Sequence, residues 1–303
     1  MKIFITGGTG FIGSAVVKRL VQSGHQVTGL TRSPQKKVEF EKLGGKAISG
    51  DINSPETYLK IAADQDVCVH VASEFGPKME GSDRKTIEAL IGRLREVRNP
   101  RAFIYTSGVL VLGDTGKTPA DETATTPPLP LLAWRLNHEK IVTGAGDEKL
   151  LTAVIRPGFV YGGTKDLISG YFESAARDGA AVYVGHGKNR MSLVHIDDLA
   201  ELYCCVIEKK AKGVFHGVDG AAPQIIEIAR TASVAAGKGG ATKSLSVEDA
   251  RQQMGMFADL LCADQWIVAR RSSEIGWMPL YPPFTDNADK IFKEWKQKTG
   301  GIR

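Results

Sequence analysis

The residues best suited to chemistry stand at the start of the chain, where the segment 1–13 joins a short apolar strand to a glycine-rich turn and a helix start. Gly7 and Gly8 allow a tight turn, and Gly10 lets the backbone approach a pyrophosphate. Gly13 lets the new helix pack closely on the strand. The free N–H groups and partial positive charge of the helix N-terminus attract an anion. The segment therefore predicts a dinucleotide site; the alternative is a glycine turn that binds nothing.

Basic and hydroxyl side chains follow the second apolar strand. A chain that binds NAD usually places an acid there, about 20 residues beyond the glycine turn, to bind the ribose 2′-hydroxyl. Here Thr31 takes that position, and Arg32, Ser33, Lys36 and Lys37 follow it. A guanidinium can bind the 2′-phosphate of NADP through two hydrogen bonds. The cluster therefore predicts NADP rather than NAD, and the alternative is an ordinary solvated helix start.

Apolar strand patterns alternate with helical patterns through the first half of the chain, which favours a parallel sheet. The predicted strands are 3–5, 26–30, 47–49, 67–71, 102–106 and 152–155, and the helices between them begin near Phe11, Pro34, Ser54, Asp83 and Leu131. Right-handed crossovers give an α/β, doubly wound parallel sheet with its ligand crevice at the carboxyl ends of the strands.

The pattern changes after Arg156 and Pro157, where turns become frequent and helices are no longer separated by regular buried strands. We expect a dinucleotide-binding domain over residues 1–160 and a smaller substrate lobe over residues 161–303. One or two strands of the second part are expected to return to the main sheet.

Composition narrows the function classes. The chain has 303 residues, 42% hydrophobic and 24% charged, with a formal net charge of +5. The basic residues are dispersed, so nucleic-acid binding is not expected. No apolar run approaches the roughly 18 residues of a membrane span, and the expected location is cytoplasmic. Cys68, Cys204, Cys205 and Cys262 form no metal-binding pattern and are expected to be reduced core thiols.

Two further segments follow predicted strands at the crevice end of the sheet. In the first, which consists of Asp51 and Ile52, the Asp51 carboxylate can accept a hydrogen bond from the adenine amino group, or it can cap a helix instead. In the second, residues 70–73, the small side chains let the chain pass beside a cofactor.

Six motifs together resemble the extended short-chain dehydrogenase/reductase family over nearly the whole chain. They are Thr6–Gly13, Asp51-Ile52, His70–Ser73, Tyr105-Thr106-Ser107, Arg156–Gly162 and Val194–Asp198. The similarity is greatest to the branch of NAD-dependent epimerase/dehydratases, dihydroflavonol reductases and 3β-hydroxysteroid dehydrogenases. It implies a Rossmann domain that binds NAD(P), a C-terminal substrate lobe, and a mainly structural role for Val194–Asp198. The cofactor contacts expected are Gly7, Thr9, Gly10, Phe11, Ile12, Gly13, Arg32, Ser33, Asp51, Ile52, Val71, Ala72, Ser73, Thr106, Arg135, Pro157 and Val160.

The chemistry of that family uses a Ser or Thr and a Tyr-x-x-x-Lys pair on one helix. The lysine cation lowers the pKa of the phenol, which exchanges a proton with the substrate hydroxyl. Counting back from Glu139 places Leu131 at the tyrosine position and Arg135 at the lysine position, and the serine position falls on Gly108. A register that uses Lys140 also supplies no phenol.

The expected site is therefore non-standard. Arg135 can still bind the nicotinamide ribose, and Ser107 or His138 can replace the proton donor. Tyr105 and Tyr161 are weaker candidates for that role. Phe75, Trp134 and Tyr161 are expected to form an apolar substrate wall. The leading hypothesis is an NADP-dependent oxidoreductase that acts on a hydroxyl or carbonyl of a small, fairly apolar metabolite. The alternatives are a non-redox isomerase, lyase or cyclase that retains NAD(P), and a non-catalytic NADP-sensing regulator.

Overall fold

The computed structural model describes residues 1–74, 76–164 and 166–300. Phe75, expected in the substrate wall, lies outside the described residues. The strands are β1 Lys2–Thr6, β2 Gln26–Thr31, β3 Lys46–Ser49, β4 Val67–His70, β5 Arg101–Thr106, β6 Leu150–Pro157, β7 Phe159–Tyr161, β8 Ala181–Val184, β9 Leu193–His195, β10 Gly213–Gly217 and β11 Thr242–Leu245. The helices are α1 Phe11–Gln22, α2 Pro34–Glu41, α3 Leu59–Ala63, α4 Met79–Arg95, α5 Ala133–Gly144, α6 Leu167–Asp178, α7 Ile196–Glu208, α8 Ile225–Ala235, α9 Val247–Met254, α10 Phe257–Leu260, α11 Arg270–Glu274 and α12 Phe284–Thr299.

Seven parallel strands form the main sheet, in the order β10-β6-β5-β4-β1-β2-β3. The apolar runs at Ile3–Ile5 and Val67–Val69 pair in register and are fully or almost fully buried because helices cover both faces of the sheet. The strand order reverses between β1 and β4, and ligands of such sheets bind outside the carboxyl ends at that point. The predicted doubly wound α/β fold is confirmed.

Helix α1 carries the glycine turn into the core. It begins after Gly10, and its apolar face, with Val16, Val17 and Leu20, is fully buried against the sheet and α7. This burial fixes the direction of the helix axis and hence the position of its N-terminus.

Three predicted helix starts differ from the structure. The segment after Ser54 is a 3₁₀ turn, Pro55–Thr57, that precedes α3, and α4 begins at Met79 rather than near Asp83. Leu131 lies in a second 3₁₀ turn, Pro130–Leu132, and not in α5. The cause is the backbone of Leu132, whose φ of −115° and ψ of 3° interrupt the helix before Ala133.

The chain beyond residue 161 builds two small parallel sheets, β7 with β9 and β8 with β11. Around them lies a second core that contains Phe172, Phe284 and Trp295. Strand β10 returns to the main sheet beside β6. The boundary near residue 160 stays a prediction. Within the described residues, every helix is too short or too polar to cross a bilayer.

Candidate active site

Gly7 and Gly10 present only backbone to the crevice. Gly10 N donates to the Gly7 carbonyl at 2.9 Å, and Gly7 has a φ of +73°. A Cβ on Gly7 would lie 2.5 Å from the backbone nitrogen of Ala72, and one on Gly13 would collide with the Gly7 carbonyl oxygen. The turn is therefore held between β4 and α1 at a distance that no side chain permits.

A cleft of about 530 Å³ opens in front of this turn. It is lined by Gly7, Thr9, Gly10, Phe11, Ile12, Gly13, Leu30, Thr31, Arg32, Lys36, Ile52, Val71, Ala72, Ser73 and Glu74. Eleven of these residues were predicted to contact the cofactor. Apolar walls at Leu30 and Ile52 suit a flat base, and the helix N-terminus suits a phosphate. The cleft fits the adenosine and pyrophosphate parts of a dinucleotide.

Arg32 forms an ion pair across the mouth of this cleft. Its Nη1 lies 3.2 Å from Oε1 of Glu74, whose Oε2 also accepts from Ser82 at 2.9 Å and from Asn53 at 3.3 Å. The Arg32 side chain is 68% exposed, whereas that of Glu74 is 23% exposed. Sequence analysis missed Glu74, which directly follows the small residues after β4.

Several residues predicted to bind the cofactor have other partners. Ser33 caps α2 by accepting from Lys36 N at 3.3 Å, and Asp51 Oδ1 accepts from Asn53 N at 2.8 Å. Neither Ser33 nor Asp51 is among the lining residues of the cleft. Lys37 faces Glu41 at 4.0 Å and turns along its own helix. Cofactor contacts by Ser33 and Asp51 stay predictions.

Arg135 lies at the carboxyl end of β5. Its Nη1 donates to the Thr106 carbonyl at 3.1 Å and to the Tyr105 hydroxyl at 3.4 Å. The guanidinium carbon also lies 4.6 Å from the centroid of the Trp134 ring. Three contacts on two elements thus fix the orientation of this cation.

Asp83 on α4 is the centre of a buried polar network behind Arg135. Its Oδ2 accepts from the Tyr105 hydroxyl at 2.7 Å and lies 2.6 Å from His138 Nδ1, while Oδ1 lies 3.2 Å from His70 Nε2. His70 Nδ1 in turn lies 2.6 Å from the Thr6 hydroxyl. Burial acts to raise the pKa of Asp83, but hydrogen bonds to His138 and His70 hold that pKa well below its usual value. The network joins the strand before the glycine turn to the helix that carries Arg135.

This network removes Tyr105 and His138 from direct contact with a substrate. Tyr105 is fully buried, its hydroxyl donates to Asp83, and burial raises its pKa. His138 is 2% exposed and lies edge-on beneath Trp134, with 4.9 Å between ring centroids. His138 thus faces Asp83 instead of solvent, and its role as proton donor stays a prediction.

A comparison with models of known families shows the family to which the chain belongs. The model of the NAD dependent epimerase/dehydratase family matches residues 3–218, more than two thirds of the chain. The chain belongs to this family. The resemblance inferred from the motifs is confirmed.

Relatives within the family carry different names. The uncharacterized protein YLL056C of Saccharomyces cerevisiae is 30% identical over 92% of this chain and 95% of its own. The 2-alkyl-3-oxoalkanoate reductase of Stenotrophomonas maltophilia is 30% identical over 70% of this chain and 67% of its own. Human epimerase family protein SDR39U1, crystallised with NADPH, superposes with a TM-score of 0.78 at 22% identity over 97% of this chain and 99% of its own.

The two positions that the spacing assigns to the tyrosine and the serine stay predictions. Leu131, counted as the tyrosine position, lies outside α5, and its carbonyl accepts from Trp134 Nε1 at 3.0 Å. At Gly108, counted as the serine position, a Cβ would meet only the Pro157 carbonyl, at 3.9 Å. The adjacent Ser107 has a buried hydroxyl oxygen that lacks a hydrogen-bond partner among the described residues. Ser107 directly follows Thr106, whose carbonyl accepts a hydrogen bond from Arg135.

The structure corrects one predicted substrate contact. Tyr161 is 1% exposed and packs edge-on against His195 and Phe284, at centroid distances of 5.3 and 5.7 Å. It belongs to the second core, where it is packed among other aromatic residues. Trp134 is half-buried beside Arg135 and stays a candidate for the substrate wall. The Thr106 hydroxyl lies 2.6 Å from the hydroxyl of Tyr203, whereas its carbonyl holds Arg135.

Proposed function

We propose that this protein is an NADP-dependent oxidoreductase that acts on a carbonyl or hydroxyl group of a small, fairly apolar metabolite. The observation that carries the proposal is a cation, Arg135, held at the carboxyl end of β5 by the Thr106 carbonyl in a family fold. The next residue, Ser107, has a hydroxyl without a partner among the described residues. A relative named as a reductase and a structural neighbour crystallised with NADPH support the same reaction class.

The cleft offers each part of NADP a matching group. The glycine turn and the start of α1 would hold the pyrophosphate, and Leu30 with Ile52 would enclose the adenine. Arg32 and Lys36 would bind the 2′-phosphate, with Arg32 exchanging Glu74 for that anion. Bound NADP supplies the hydride donor or acceptor of the reaction.

Arg135 supplies electrostatic stabilisation rather than a proton. A guanidinium stays charged at any ordinary pH, so it can stabilise the negative charge that develops on a carbonyl oxygen during reduction. Its contacts with Tyr105 and Thr106 fix the cation before the substrate arrives. We infer that the Ser107 hydroxyl, which is buried and has no partner among the described residues, donates a hydrogen bond to the same oxygen once a substrate reaches it. The proton then comes from Ser107 or from water.

This arrangement favours activated carbonyl substrates. A positioned general acid usually contributes about 10²–10⁴ in rate, and Leu131 cannot supply it. A ketone next to an electron-withdrawing or acidic group depends less on that assistance. The 2-alkyl-3-oxoalkanoates named for one relative are such ketones, and we propose this class as substrates.

The reaction is tested by following NADPH oxidation with a panel of 3-oxo acids and simple ketones. A reaction without any carbonyl compound is the control. We expect turnover with 3-oxo acids. Because the charge is needed in the transition state, Arg135→Gln should lower kcat/KM by about 10²-fold, whereas Arg135→Lys keeps the charge and should retain more activity. Binding of NADPH without turnover of any carbonyl or alcohol would contradict redox chemistry.

NADP preference is tested by calorimetric titration of Arg32→Ala. Affinity for NADP should fall by about one to two decades, the value of a charge-assisted contact, and affinity for NAD should not change. Lys37→Ala is the matched control because Lys37 faces Glu41 instead of the cleft. Equal affinity of the wild-type protein for both nucleotides would contradict the preference.

One observation favours a second candidate. Leu131 removes the phenol from the tyrosine position, and a site without that phenol suits a non-redox isomerase or lyase that retains its nucleotide. Product formation from the same panel without net consumption of NADPH would support this second function over the first.

A further inference from the structure

Three metal-ligating side chains meet at the edge of the sheet opposite the cleft. His25 precedes the first residue of β2, and Cys204 and Glu208 lie on the last turns of α7. His25 Nε2 lies 3.3 Å from Glu208 Oε1, and Cys204 Sγ lies 3.4 Å from the same oxygen. All three ligand atoms lie within 4.8 Å of one another.

Two of the three separations match a coordination sphere. With usual Zn–N, Zn–O and Zn–S bond lengths, neighbouring ligand atoms of a tetrahedral zinc site lie about 3.3–3.6 Å apart. The two distances to Glu208 Oε1 fall at that value without any displacement of the backbone. We propose that His25, Cys204 and Glu208 bind one Zn²⁺ ion, with water at the fourth position.

The fold prepares these ligands. Cys204 and Glu208 are four residues apart on α7 and therefore share one helix face. The His25 side chain is 8% exposed, and its Nδ1 lies 3.2 Å from the Met1 nitrogen, so Nε2 faces Glu208. Cys204 is 1% exposed and lies against the Ser23 hydroxyl at 3.2 Å. The close packing of α1 on α7 keeps this geometry rigid.

The charges also balance. A thiolate, a carboxylate and a neutral imidazole carry two negative charges, which one divalent cation neutralises. Arg19, the nearest cation on α1, is bound to Glu201 and Ser23, so its charge has a partner of its own. Binding would release the thiol proton and leave the imidazole proton on Nδ1, where the Met1 amine would accept it in its neutral form.

The test is a Zn²⁺ titration of the full chain against a chromophoric chelator, with Co²⁺ as a spectroscopic probe. We expect one ion per chain, a thiolate-to-cobalt charge-transfer band, and a higher Tm with Zn²⁺. Cys204→Ser and His25→Ala should weaken binding by at least about 10–100-fold, the loss seen even for groups that only orient a ligand. Cys205→Ser is the matched control because its thiol faces the Ile275 carbonyl instead.

Equal Zn²⁺ affinity in the wild-type protein and Cys204→Ser would overturn the proposal, and so would several weak ions per chain that no variant displaces. NADP affinity should be the same in every variant, because the cluster lies at the amino ends of the strands and the cleft at their carboxyl ends. Circular dichroism of each variant distinguishes a lost ligand from a lost fold.

Discussion

The two ends of the crevice are built in different ways. The glycine turn uses backbone from one continuous segment, and its geometry follows from the absence of side chains at Gly7 and Gly13. The opposite end uses side chains from β1, β4, α4, β5 and α5, joined through Asp83. The first end keeps the family pattern, whereas at the second the sequence predicts Leu131 and Gly108 in place of the tyrosine and serine of that pattern. Binding and catalysis can therefore change separately in this fold.

Removing the centre of the side-chain network should have the largest effect. Asp83→Ala leaves His70, His138 and Tyr105 buried without their acceptor, and we expect the free energy of unfolding to fall by about 3–5 kcal/mol. Denaturant unfolding measures this loss. Asp83→Asn, which keeps the shape and one acceptor, should cost less. Equal stability of Asp83→Ala and the wild-type protein would show that the network adds nothing to the fold.

A change in the glycine turn should affect binding more than stability. Gly13→Ala places a methyl group against the Gly7 carbonyl, so we expect loss of measurable NADP binding and a cost of about 1–3 kcal/mol from overpacking. Gly81→Ala in α4 is the control, because a Cβ there meets no atom within 4 Å. Unchanged NADP affinity in Gly13→Ala would place the cofactor elsewhere.

The stability of the protein should depend on pH through Asp219, which follows β10 at the carboxyl end of that strand. Burial and the nearby charge of Asp198 raise the pKa of Asp219 to about 7, against hydrogen bonding from Ala221 N. Because the folded state then binds the proton more tightly than the unfolded state, stability falls as pH rises from about 4 to about 7. The full shift corresponds to at most about 4 kcal/mol, and residual exposure reduces it to about 1–2 kcal/mol.

Asp219→Asn should remove most of this slope and raise Tm at neutral pH relative to the wild-type protein. Thermal unfolding at several pH values measures both. Parallel curves for the two proteins would mean that Asp219 titrates normally.

The smallest effect should come from the ion pair at the mouth of the cleft. Glu74→Gln frees Arg32 for the 2′-phosphate, and we expect NADP affinity to rise by up to about tenfold while NAD affinity stays constant. Glu80→Gln on α4 makes the same charge change outside the cleft lining and serves as control. A lower NADP affinity in Glu74→Gln would show that the carboxylate positions Arg32 instead of competing for it.

Local patterns predicted most of the fold. The six strands of the first half are continuous apolar runs between turns, and each is present in the main sheet. Strand β10 is less visible because Gly213 and Gly217 bound a run of only three other residues. Leu131 shows the limit of spacing rules, since a non-helical Leu132 follows it and breaks the four-residue repeat.

Sequence reasoning missed Asp83 and Glu74, whose partners in the site are distant in the sequence. Asp83 stands in a charged stretch typical of a solvated helix face, yet it precedes Ile87, Leu90 and Leu94 at helical spacing, and this pattern places it on the buried side. That periodicity was the available signal. Glu74 had none, because its contact with Arg32 depends on the path of two loops that meet only in the folded protein.

The late position of β10 and α7 in the chain has a consequence for synthesis on the ribosome. The apolar face of α1 emerges well before α7, which covers it and ends at Glu208, and before β10, which ends at Gly217. Val16, Val17 and Leu20 must therefore wait for about two hundred further residues, roughly 10–40 s of translation at 5–20 residues per second. During that interval the nascent chain exposes an apolar surface of the kind that promotes aggregation and that chaperones cover in general.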